Sequence, residues 1–78
     1  KSESKALNER EVINTLRNKF DDYFFTNHLK IDSNHIMNFL TYIFENGFQQ
    51  KLLKEERALD LVVYLEIKSK AYLKFIED

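Results

Sequence analysis

The chain has 78 residues, with twelve lysines and arginines against thirteen acids, one glycine, no proline and no cysteine. That length holds one domain with a small core. The near-neutral balance lacks the basic excess that a dominant phosphate-binding surface requires, and the missing cysteines exclude disulfides and zinc–thiolate sites.

Both halves are balanced, with no polybasic arm and no acidic tail. No apolar run approaches the roughly 18 residues that span a bilayer. An uncrosslinked chain of this kind is expected to be cytoplasmic. It opens on Lys1 rather than methionine, as an excised domain or a processed product would. Scarce glycine and proline leave little turn chemistry for hairpins and favour long helices.

Residues 1–7 read as a polar, flexible lead-in to a single helical domain covering 1–78. Asn8 is placed to cap a first helix, Asn8–His28, with Glu9 and Glu11 facing the positive end of its dipole. Val12, Ile13, Leu16, Phe20, Tyr23 and Phe24 recur there at three- and four-residue spacings. The pattern thins over Thr26–Asp32, and Asp32 or Ser33 can cap a second helix, Ser33–Asn46.

That second helix is apolar around most of its circumference: Ile36, Met37, Phe39, Leu40, Tyr42, Ile43 and Phe44. A helix with one dry face needs one packing surface. This one needs two or more and belongs at the centre of a bundle. Gly47 follows where a left-handed cap is expected.

A third helix is expected over Phe48–Ile76, either continuous or broken around Glu55–Arg57 or Ser69. Phe48, Leu52, Leu59, Val63 and Ile67 suit one face, and Val62, Leu65, Tyr72, Leu73 and Ile76 widen it. Leu61–Ile67 also alternates as a strand would. Helix is preferred because Glu55–Leu59 leads in with strong helix formers, and a lone strand would leave its ladder bonds unmade. The expected fold is therefore all-α: a compact three-helix domain with a long C-terminal helix, with dimerisation as a way to complete its core.

Catalytic chemistry finds little support. His28, Asp32 and His35 are metal-ligating types, but they span a helix end, a loop and a new helix start, and Asp32 already has work as a cap. Asp21–Asp22 and Glu55–Glu56 are adjacent carboxylates on a solvated surface, not an opposed acid–base pair. Ser33 beside His35 reads as a cap rather than a nucleophile. One glycine cannot build a phosphate loop. No enzyme activity, cofactor or metal is expected.

The aromatic residues suggest a function instead. Phe24, Phe25, Phe39, Phe44, Phe48, Tyr64 and Tyr72 provide more aromatic area than a small trihelical core demands. Large rings are efficient interface anchors. The expected role is a protein-interaction or homo-oligomerisation domain, regulatory in character, pairing with itself as a dimer or with another protein. The alternative is a small nucleic-acid-binding regulator using Lys68, Lys70 and Lys74 beside Tyr64 and Tyr72.

Overall fold

The structure, a computed structural model, describes residues 6–77. Asn8 opens α1 (Glu9–Lys19) through a reciprocal capping box. Its side-chain oxygen accepts from the Glu11 amide at 2.9 Å, and its own amide donates to the Glu11 carboxylate at 3.0 Å. Val12, Ile13 and Leu16 form the buried stripe of α1.

The first helix is shorter than its periodicity predicts. It ends at Lys19, and Phe20 is extended. Asp21 competes with the helix for the backbone, because its carboxylate accepts from the Phe24 amide at 2.9 Å. Arg17 and Asp22 bridge the break at 2.6 Å. A π-helical turn, Phe24–His28, follows. Lys30 then takes a φ of +62°, which swings Ile31 into the core. The break lets Phe20 stack on Phe24 at 4.3 Å while Phe25 turns inward.

Asp32 accepts from the Asn34 amide at 3.2 Å and starts a 3₁₀ turn, Ser33–His35, which runs into α2 (Ile36–Glu45). Ile36, Phe39, Leu40 and Ile43 of α2 are buried, and the helix packs against α1 on one side and α3 on the other, the central position its composition demands. Gly47 follows with φ +86°. A Cβ there would meet no neighbour within 4 Å, so the need for glycine lies in the dihedral alone.

The region expected as Phe48–Ile76 breaks at Glu55–Arg57, one of the two places where the sequence allows a break, and Phe48–Arg57 lies outside the last helix. It forms two 3₁₀ turns, Gln50–Leu53 and Glu55–Arg57, separated by an extended Lys54. The Gln50 side-chain amide holds this segment against the start of the chain. It accepts from the Leu7 amide at 2.9 Å and donates to the Leu7 carbonyl at 3.0 Å. Of the expected lead-in 1–7, residues 1–5 lie outside the described part of the chain.

Helix α3 (Ala58–Glu77) has 20 residues and so runs about 30 Å, in a body 45 × 22 × 18 Å in extent. Leu61, Leu65 and Tyr72 face the core. Buried Ser69 sits among them and donates to the Glu66 carbonyl at 2.9 Å, so a polar atom inside the packing is satisfied. The described residues are helical without strands, and the all-α expectation holds, long C-terminal helix included.

Candidate interaction surface

The aromatic residues predicted to anchor a partner are divided by the fold. Phe25 and Phe39 are fully buried and Tyr72 nearly so, while Phe24, Phe44, Phe48 and Tyr64 are partly covered against the core. They pack on one another. Phe24 lies edge-on to Phe25 at 5.6 Å and stacks with His28 at 5.3 Å. Phe48 meets Tyr64 at 5.6 Å. Tyr72 gathers Phe39 at 5.5 Å and Tyr42 at 5.3 Å. Within this chain these rings enlarge the core.

Tyr72 also floors a groove of about 500 Å³ between the C-terminal parts of α2 and α3. Tyr42, Phe75 and Ile76 complete an apolar floor, and Asn38, Thr41, Glu45 and Asn46 give it a polar rim. The Tyr72 hydroxyl and His35 Nδ1 share a hydrogen bond at 3.1 Å. Burial pushes this phenol above its ordinary pKa of 10.0. The Tyr64 hydroxyl is raised as well, first by burial and then by Tyr42, and it is a buried polar atom without a hydrogen-bond partner. A phenol bonded to an imidazole can orient a polar ligand in this groove.

The residues considered for metal binding have separate roles. His28 Nε2 lies 2.6 Å from a Glu66 carboxylate oxygen, tying the π turn to α3. His35 is engaged with Tyr72, and Asp32 caps its own turn. Among the described residues no cluster of three or more His, Cys, Asp or Glu side chains converges on one point.

Of the lysines weighed for nucleic acid, Lys68 lies over the Tyr64 ring, its ammonium 5.7 Å from the centroid. Lys70 and Lys74 stand exposed on the outside of α3.

That outer side carries the feature the sequence reading missed. Leu59, Val63 and Ile67 are 82%, 52% and 61% exposed, and the same four-residue step continues through exposed Ala71 to Phe75, 61% exposed. Positions four apart lie about 40° round a helix from one another, so Leu59, Val63 and Ile67 share one outer face, while Phe75, about 160° from Leu59, has turned toward Tyr42 and the groove. The core-facing set, Leu61, Leu65 and Tyr72, occupies the opposite side. The sequence reading put Leu59, Val63 and Ile67 on one face with Phe48 and Leu52, which pack against the core. The 3₁₀ turns disconnect the two groups. The available signal was that α3 is apolar on two sides.

No described helix is long and apolar enough to cross a membrane. Comparison with curated proteins and with solved structures yields no match. Residues 9–76 match the family described as BamP, C-terminal domain, and the chain belongs to that family.

Proposed function

We propose that this chain is a non-catalytic protein-interaction module that docks through the outer face of α3. The observation that carries this reading is the exposed row Leu59, Val63 and Ile67. Large aliphatic groups aligned on one face are poorly placed in water. Burying each gains about 1.5–3 kcal/mol before ordering costs. Single exposed apolar residues are ordinary surface, whereas a contiguous row marks a contact site.

Family membership supports an interaction role, with outer-membrane assembly the process it suggests. The partner is then a second copy or another protein of that process. The location belongs to the proposal too. Work in outer-membrane assembly draws the chain to the cell envelope rather than to the cytoplasm expected from composition, and fractionation of cells distinguishes the two.

The test is a photoreactive amino acid placed at Val63 in living cells, with exposed Asn18 on α1 as control. The expected result is a discrete protein adduct from Val63 and none from Asn18. Equal backgrounds from both positions would overturn this use of α3.

A further inference from the structure

We infer that the outer face of α3 is built to receive a second copy of itself in antiparallel orientation. This rests on the proposed use of α3 as a docking surface and names its occupant. The row has opposite charges at its two ends. Glu56 and Asp60 flank its start, and Lys70 and Lys74 flank its end with Glu77 on the last turn beside them, all of them exposed, so two lysines outnumber one acid there. Arg57, in the 3₁₀ turn before α3, pairs with Asp60 at 3.4 Å and projects about 120° away from Glu56, to the side of the row. Glu66 is engaged by His28.

A two-fold axis at the level of Leu65 makes this face complementary to itself. Val63 of one copy falls opposite Ile67 of the other, and Leu59 opposite Ala71, a large side chain against a small one. The same operation carries Glu56 and Asp60 of each copy to the end where the other holds Lys70 and Lys74. Isologous two-fold contact is the commonest form of self-association, and it requires one patch to match itself. A parallel copy would set acids on acids and lysines on lysines, which is unfavourable. Rows of side chains four apart pack as ridges into each other's grooves, and lysine stems reach across a crossing of that kind. One helix face per copy is a small interface, so association in the micromolar range is expected.

Sedimentation velocity on the 78-residue chain tests this, with helicity by circular dichroism as a folding control. The wild type should dimerise, and Val63→Asp should abolish the dimer. The pair Glu56→Lys and Asp60→Lys should weaken association about tenfold or more, as should the pair Lys70→Glu and Lys74→Glu. Mixing the two doubly substituted chains should restore a dimer, because each then offers the other opposite charges at both ends. A wild type that stays monomeric up to several hundred micromolar overturns the second copy as occupant. The cross-link from Val63 then still decides whether another protein docks there. A dimer indifferent to Val63→Asp overturns the interface, association unweakened by the paired charge reversals overturns the antiparallel register, and failure of the mixture to recover overturns the charge pairing.

Discussion

The two sides of α3 have much the same composition and opposite fates. Leu61 and Leu65 are buried within the chain, whereas Leu59 and Val63, two positions earlier in each case, lie in water. Two positions in a helix are about 200° apart, so α2 can cover one set only by leaving the other bare. Hydrophobicity alone therefore does not distinguish a core face from an exposed one. What distinguishes them is whether this chain supplies the covering surface.

The largest effect expected separates those faces directly. Leu65→Ala should destabilise the fold by roughly 2–5 kcal/mol through lost transfer energy and an unfilled cavity. Leu59→Ala should change monomer stability by no more than about 0.5 kcal/mol. Urea unfolding at low protein concentration compares them, and equal losses would break the distinction between the faces.

A smaller effect is expected at the edge of the inner face. Tyr72→Phe removes the hydrogen bond to His35 and should cost about 0.5–1.5 kcal/mol. Tyr72 and Tyr64 also give the fold an alkaline limit. Both phenols have folded pKa values above the ordinary 10.0, so they hold their protons more tightly folded than unfolded. Their contribution is complete below about pH 10 and is lost as pH rises through the folded values. Urea midpoints should fall across that range, and a flat profile would contradict burial of these hydroxyls.

Gly47→Ala should cost roughly 1 kcal/mol, since alanine resists a positive φ even where space is open. It should leave dimerisation through α3 unchanged once corrected for the folded fraction. A change in association would mean that the turn after α2 helps set the outer face.

The smallest effect is expected at Tyr64. Tyr64→Phe deletes a buried hydroxyl with no partner and should be neutral or slightly stabilising, within about 0.5 kcal/mol. A loss as large as that at Tyr72 would reveal a bond that the hydroxyl makes.

Much of the fold was legible because local chemistry decides it. Asn8 with Glu11, Asp32 before α2 and Gly47 after it each satisfy backbone needs within a few residues, and each does what its sequence position suggests. The break after Lys19 was not legible. Phe20, Tyr23 and Phe24 continue the helical spacing, and only the competing bond from Asp21 ends it. The break at Glu55–Arg57 was one of two that the sequence left open, and what it did not show was the bond from Gln50 to a backbone group 43 residues away that holds the preceding segment. The candidate surface was misplaced toward rings such as Phe25 and Phe39, which the core absorbs.

By itself, the sequence determined that this protein is helical, that α2 lies at its centre and that no catalytic constellation is spelled out in its motifs. Those conclusions depend on periodicity, capping and residue chemistry, which act over a turn or two of chain. Only the tertiary structure decided which apolar side of α3 is covered and which is left exposed. That outcome depends on how α2 and the linker present themselves to the helix, a relation between distant segments that no local pattern encodes.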